Sequence, residues 1–479
     1  MVDKERDAMI GTGADVLAKE LKRQGVTWAS TLCGNGLNPF YVACRKASIR
    51  LIDTHNEQAA AYMADAYARL TGRVGVCAVS SGVAHSNALT GVANAFFDGA
   101  PLLLITGASA GYGVGRGVFQ EFDQVGLATP ISKFAKAVSR AGDLTFLVRQ
   151  AFAAALSGRP GPVHLTIPLD VLEEKVDTSV DIAASRNAET SVVEQTDQNL
   201  VTEAAKVIRR AERPLLIAGS GVFYARGQKA MMDFSEASAI PIVTPIWDRG
   251  AVEKPHPNFL GVIGAASGEP HLLEDSDLII LAGARVDYRV GFLLPPKVRQ
   301  GVFIIRIDRD VCELEQGIKP DLSFAVSPAL MFDQLAMEMR RLGEPPHMKW
   351  LDEARDRWRL FRARWIERPP PLTKPMSGLH IVEAILPLLK DDIIFLIDGG
   401  NIGQWAHMML TDQYSSRWLT CGASAVVGWG IPGAMAAKLA FPDRPVLLLS
   451  GDGAFGLTVT ELESAVRQEL PFVAVVAND

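Results

Sequence analysis

Two acidic residues near the end of the chain sit in a pattern suited to metal and phosphate chemistry. Gly451-Asp452-Gly453 and the final pair Asn478-Asp479 are separated by the 24 residues 454–477. The apolar run Val446-Leu447-Leu448-Leu449 leads straight into the first of these elements, as expected of a buried parallel strand. Thr458-x-x-Glu461 has the form of a capping box opening a helix to about Glu469; Pro471 stops it, and Phe472–Ala477 reads as a second apolar strand. Asp452 and Asp479 therefore fall at the carboxyl ends of two successive strands, where open α/β sheets bind ligands. Hard oxygen donors suit Mg²⁺. The glycines let backbone N–H groups such as those of Gly453 and Ala454 approach phosphate oxygens. An ordinary strand-turn-helix with an aspartate in its turn has the same local pattern.

A third acid lies far away in the sequence. Thr54-His55-Asn56-Glu57 precedes a small-residue run that ends in Tyr67-Ala68-Arg69-Leu70-Thr71-Gly72. Read locally, Thr54 and Glu57 form a capping box and Gly72 stops the helix. Read chemically, a carboxyl group in a dry pocket can share a proton with a weakly basic nitrogen and act as general acid/base. The two roles are compatible. The next strand ends in Ser80-Ser81-Gly82-Val83-Ala84-His85-Ser86-Asn87, where His85 is either a turn residue or a group at the mouth of a site. Val118-Phe119-Gln120-Glu121 with Asp123 reads as a surface helix start or as a substrate-facing stretch. In Leu32–Pro39 the polar side chains are Asn35 and Asn38, and no histidine is present. Asp398-Gly399-Gly400-Asn401-Ile402 follows the apolar strand Ile393–Ile397, a turn suited to phosphate at a helix N-terminus.

These residues need elements to hold them, and the chain divides into three α/β blocks. The first, about 8–180, alternates a helix near Gly13–Gln24, a strand Val74–Ser80, a helix Asn87–Phe96 and a strand Pro101–Thr106, and closes on a strand over 161–168. Residues 175–198 are polar and aperiodic, which predicts a linker. The second block opens with a helix Leu200–Ala211 and carries strands at Pro214–Ala218, Ile240–Thr244, Leu278–Ala282 and Val302–Ile307, with room for five or six in all. A charged helix and the stiff Pro369-Pro370-Pro371 separate it from the third. Strands alternating with helices predict three doubly wound parallel-sheet domains, an α/β fold class. Domain boundaries are expected at 1–185, 186–350 and 351–479.

A net charge of −6 gives no reason to expect nucleic acid or an anionic membrane surface as a partner. No apolar run is long enough for a membrane span, and the charged start MVDKERDAMIGTG is no secretory signal. Five scattered cysteines without a CxxC pair fit a reducing compartment, so the cytoplasm is the expected location.

Taken together these motifs resemble those of thiamine-diphosphate (ThDP) enzymes, in the acetolactate-synthase-like group, in order over essentially the whole chain. The resemblance implies a pyrimidine-binding domain, a central domain and a diphosphate-binding domain whose C-terminal part is absent, a third metal ligand and a closing segment being expected beyond Asp479. Asp452 and Asp479 would hold Mg²⁺ on the cofactor's diphosphate, an aspartate replacing the family's usual asparagine at the second position. Glu57 would bond a pyrimidine nitrogen and activate the cofactor. Gly82 and Asn87 match the family's next loop, whereas Val83 and Ala84 depart from it. Gly400, Asn401 and Ile402 would contact the diphosphate. Within Cys421–Gly433, Val427 falls where a larger apolar residue usually wedges between the cofactor's rings, with backbone near Ala425 binding the pyrimidine. Asn35, His85, Phe119 and Gln120 would face substrate. Some family lyases carry a histidine in the loop that here is Leu32–Pro39, and its absence weakens a mechanism that needs that base.

Gly283-Ala284-Arg285-Val286-Asp287-Tyr288-Arg289-Val290-Gly291 resembles a stretch that lies along FAD in some relatives, near an ADP-containing nucleotide in others, and beside no nucleotide in many. The last is the expectation here. The implied activity is ThDP- and Mg²⁺-dependent cleavage or formation of carbon–carbon bonds on small 2-oxo acids or 2-hydroxy ketones. A lyase acting on 2-hydroxyacyl-CoA or 2-hydroxy ketones comes second, and a non-catalytic relative binding a nucleotide or partner is the alternative of another class. A homodimer or homotetramer with sites made by two chains is implied.

Overall fold

The computed structural model describes residues 10–177, 195–265, 268–367, 369–372, 376–390, 392–410, 413–415 and 417–478. They fall into two compact units. One gathers the chain up to Val192 with two later stretches, Ile431–Asp443 and Thr458–Phe472; the other gathers Val193–Gly430, Arg444–Leu457 and Val473–Asp479.

The first unit is built on a six-stranded sheet in the order Arg50–Asp53, Trp28–Thr31, Gly75–Val79, Leu102–Ala108, Val163–Pro168, Phe134–Ala137. Every neighbouring pair is parallel. The central strands are buried along their length, which is why they read as continuous apolar runs. The strand order reverses between Trp28–Thr31 and Gly75–Val79, so the loops after these two strands flank a topological switch point. Those loops carry Asn35 and Gly82. On the sheet, helices Glu57–Thr71 and Val83–Asp98 pack through small residues. A side chain at Gly91 would meet the Ala61 Cβ at 2.4 Å, so alanine and glycine let the two backbones approach.

The second unit holds two parallel sheets. One has six strands, in the order Phe259–Ile263, Ile242–Pro245, Pro214–Ala218, Leu278–Ala282, Phe303–Asp308, Leu322–Ala325. The other has four, in the order Trp418–Thr420, Ile394–Ile397, Val446–Gly451, Val473–Ala477. Its switch point lies between Ile394–Ile397 and Val446–Gly451, so the loops there begin at Asp398 and Asp452.

The α/β class and the parallel sheets are as expected. Four local expectations are corrected. The helix expected at Asn87 begins at Val83, because Gly82 with φ 62° supplies the turn out of the strand. Thr54 and Glu57 form no capping box: Asn56 is the cap, its side chain accepting from the Gln58 N–H, while Thr54 donates its hydroxyl to the Thr31 carbonyl. Thr458 and Glu461 form none either; the helix there is Glu461–Arg467, with Thr460 at its N-cap and no side-chain cap. The polar stretch expected as a linker opens with a short strand, Lys175–Asp177, antiparallel to Ile10–Thr12. Residues 178–194 of that stretch lie outside the described residues.

Candidate active site

In the first unit Glu57 is the first residue of its helix, and Asn56 does the capping. Its carboxylate is therefore available, and Oε2 accepts from the Asn87 amide at 3.1 Å. The two residues come from different helices and meet beside the Ser80–Gly82 loop, so the structure brings Glu57, Gly82 and Asn87 to one end of the sheet. Gly82 also abuts Gln120, whose Cβ lies 2.3 Å from where a Gly82 side chain would begin. Gln120 is held in left-handed backbone, φ 55°, and its side-chain oxygen accepts from Ser81 at 3.1 Å. A non-glycine residue at such a φ is strained and is held there by its surroundings. Asn35 is exposed, and its carbonyl accepts from the Ser80 hydroxyl. Phe119 is 62% exposed next to Gln120.

Gln124, which local sequence reading passed over, is the buried knot behind this loop. Its side-chain nitrogen faces Thr106 Oγ1 at 3.1 Å, the Gly107 carbonyl at 3.1 Å and Thr166 Oγ1 at 3.2 Å; its oxygen accepts the Gly82 N–H at 2.6 Å. No sequence signal near Gln124 names these partners, which come from two strands and a loop.

His85 is corrected. It lies inside the helix, fully buried, with its ring 4.7 Å from that of His164 and 6.2 Å from that of Phe122. Burial pushes its pKa down to about 4, with the Gln124 backbone opposing weakly. It is a core histidine and faces no solvent-filled site.

The second unit carries the other half of the candidate set. Gly400, φ 106°, caps the helix Asn401–Met409, whose first residue Asn401 is exposed and whose second, Ile402, is buried. The turn meets two neighbours. A side chain at Gly399 would lie 2.4 Å from Val427 Cγ1, and the Gly451 N–H donates to the Gly399 carbonyl at 3.2 Å. Val427 is 41% exposed above this turn, and Ala425 nearby is in left-handed backbone, φ 53°. Asp452 is exposed and starts a short helix, Asp452–Leu457; its Oδ1 accepts from the Gly453 N–H at 2.8 Å. A side chain at Gly453 would meet open space, while Ala454 is buried. Asp479 lies outside the described residues. Among the described residues no group of three or more His, Cys, Asp or Glu gathers to hold a metal.

Asp398 also escaped the sequence reading as a functional group. It is buried, and its two oxygens accept from Gly399 at 2.7 Å and from Gly430 at 2.8 Å. Burial pushes its pKa up to about 6; the N–H groups of Gly430, Gly399, Trp429 and Gly428 pull the other way. One carboxyl group thus ties the turn at Gly399 to the segment that carries Val427.

The central sheet has a switch point of its own, between Pro214–Ala218 and Leu278–Ala282. Its switch-point loops are in backbone contact, the Gly221 N–H donating to the Gly283 carbonyl at 2.9 Å. Arg285 pairs with Glu313, and buried Arg289 pairs with Asp287 and Asp248.

Each unit, taken by itself, holds residues of the kinds that bind parts of thiamine diphosphate. There is an available acid beside an amide, a glycine turn at a helix N-terminus, an apolar side chain standing over that turn, and an exposed aspartate on the adjoining strand end. Family models match in the same order. Residues 11–127 match the thiamine pyrophosphate enzyme N-terminal TPP binding domain, 201–335 the central domain, and 398–479 the C-terminal TPP binding domain. Among curated proteins, 2-hydroxyacyl-CoA lyase 1 of Homo sapiens is 30% identical over 481 residues, covering 99% of this chain and 82% of that protein. The acetolactate synthase isozyme 1 large subunit of Escherichia coli (strain K12) is 30% identical over 478 residues, covering 98% and 82%. For 2-hydroxyacyl-CoA lyase 2 of Homo sapiens the identity is 28% over 517 residues, covering 100% and 80%. The chain belongs to the thiamine-diphosphate-dependent enzymes, in the acetolactate-synthase-like group, and its chemistry is the cleavage and formation of carbon–carbon bonds.

Proposed function

We propose that the protein is a ThDP- and Mg²⁺-dependent decarboxylase/carboligase acting on 2-oxo acids or 2-hydroxy ketones. The observation that carries this reading is Glu57, whose carboxylate is released from helix capping and oriented by Asn87. When bound, ThDP supplies a carbon nucleophile and an electron sink. Glu57 is the group that holds and moves a proton at the pyrimidine side, and Asn87 fixes its rotamer. Val427 is the apolar group that would pack against the cofactor's rings. Gly400, Asn401, Ile402 and the backbone at Gly453 and Ala454 receive the diphosphate, with backbone near Ala425 on the pyrimidine. Asp452, with Asp479, holds Mg²⁺. Gln120, Phe119 and Asn35 lie on the substrate side.

Domain roles follow the three blocks 1–185, 186–350 and 351–479 as pyrimidine-binding, central and diphosphate-binding. We further infer a homodimer as the smallest competent unit, with Glu57 from one chain and Asp452 from another, and a cytoplasmic location, which five scattered cysteines without a CxxC pair support. Lyase action on 2-hydroxyacyl-CoA or 2-hydroxy ketones is the second reading, favoured by the lyase names among the relatives.

Titration calorimetry of ThDP into the full-length protein, with Mg²⁺ and with chelator, tests the cofactor part. Binding that requires Mg²⁺ is expected. Equal binding in chelator overturns the metal assignment. Product analysis with pyruvate and with a 2-hydroxyacyl-CoA then separates the two readings.

A further inference from the structure

Glu461 is placed by its sequence pattern at a helix start, yet its side chain does something else. It is fully buried, and both carboxylate oxygens accept the His55 backbone N–H, at 2.9 and 3.2 Å. The rest of its helix grips the same short run. Ser464 Oγ meets His55 Nδ1 at 3.0 Å, Arg467 donates to the Asp53 carbonyl at 3.1 Å, and Arg50 donates to the Gln468 side chain at 3.2 Å. From the sheet side, Thr54 donates to the carbonyls of Thr31 and Asn56. The run Arg50–His55 is therefore clamped on two sides just before the Asn56 cap and Glu57.

A buried carboxylate is costly and persists where hydrogen bonds to its charged form repay the lost hydration. Burial does push the Glu461 carboxyl up, while bonds from Ser464 and the His55 N–H, and the nearby charges of His55 and Arg467, oppose it. Its partner is 406 positions away in the chain. No local capping need explains that arrangement, because the helix start at Asn56 already has its own cap.

We propose that Glu461 is a positioning residue for Glu57. By holding the His55 N–H it fixes the backbone two residues ahead of the acid and so sets where the Glu57 carboxylate points. The proposal rests on the reading of Glu57 as the cofactor-facing acid/base. It gives a role to the segment between Gly451-Asp452-Gly453 and Asn478-Asp479, which carries the clamp for the acid/base.

The test uses full-length wild type, Glu461→Ala, Glu461→Gln and Glu57→Gln. Amide hydrogen exchange of the peptide spanning residues 53–60, measured without cofactor, reads the clamp directly. Calorimetry gives the ThDP dissociation constant, and proton exchange at the thiazolium C2 carbon reads the acid/base. In Glu461→Ala, protection of the His55 amide falls by at least about tenfold, ThDP affinity changes by less than about threefold, and C2 exchange slows by at least about tenfold. Glu461→Gln keeps an oxygen for the His55 N–H and recovers most of both losses, and it serves as the folded variant if the alanine protein is unstable. Unchanged His55 protection, or C2 exchange at the wild-type rate in both Glu461 variants while Glu57→Gln abolishes it, overturns the proposal. C2 exchange that survives Glu57→Gln overturns the underlying reading of Glu57, and this proposal with it.

Discussion

At the scale of single residues, the acid/base pair is the sharpest object in the molecule. Glu57 and Asn87 make one hydrogen bond at 3.1 Å, and each has a separable job. Glu57→Gln keeps the shape but cannot exchange a proton, so ThDP affinity should stay within about threefold while C2 proton exchange falls by at least about a hundredfold. Asn87→Ala removes only the orienting bond, so the same exchange should slow by about three- to tenfold. Equal losses in the two variants would place Asn87 in the chemistry itself. Glu57 and Asn87 were legible in the sequence because their neighbours match a family pattern residue by residue. Glu461, Gln124 and Asp398 were not, and for one physical reason: each is a buried polar group whose partners lie in other elements. Glu461 bonds His55, Gln124 bonds Gly82 and Thr106, and Asp398 bonds Gly430. Local patterns describe what a side chain can do within a turn of its own helix. They are silent about a bond to a residue 18 to 406 positions away in another element.

Elements were legible where burial is complete. Strands such as Pro214–Ala218 and Leu278–Ala282 were read to their bounds, since a parallel strand covered on both faces must be apolar throughout. Helix starts were harder. Asn56 takes the cap that Thr54 suggested, and Gly82 starts its helix four residues early. The turns between elements now carry specific expectations. At Gly82, φ is 62° and a Cβ would lie 2.3 Å from that of Gln120. Gly82→Ala should cost about 1–3 kcal/mol of stability in urea unfolding, from backbone strain plus the clash. At Gly399 a Cβ would instead meet Val427 Cγ1 at 2.4 Å, and the Val427 side chain is 41% exposed. Gly399→Ala should push Val427 out of place and weaken ThDP binding by at least about tenfold, measured by calorimetry, with a smaller stability loss than Gly82→Ala. Tight ThDP binding by Gly399→Ala would remove Val427 and its turn from the cofactor site.

Across the whole molecule, buried ionisable groups set an acid limit whose sign can be worked out. Burial lowers the pKa of His85 to about 4, of His347 to about 4 and of His407 to about 3, and puts that of His164 well below its usual value. Each is neutral in the fold and binds a proton more readily when unfolded. Their stabilisation is therefore present above pH 6.5 and is lost as pH falls toward 4, at about 1.4 kcal/mol per pH unit for each group. Asp398 acts in the opposite sense. With its pKa raised to about 6 by burial, it holds a proton in the fold where the unfolded chain has released one. Its contribution is fully present below pH 3.8 and is lost as pH rises through 6. Wild type should thus lose stability on acidification from pH 6.5 to 4, with Asp398 blunting the slope. Asp398→Asn removes the blunting, so its urea midpoint should fall more steeply than that of wild type between pH 6 and 4, the two slopes differing by about 1.4 kcal/mol per pH unit. Parallel pH profiles for the two proteins would mean that Asp398 is ionised throughout this range. It would then hold the Gly399 and Gly430 loops as a carboxylate across that range.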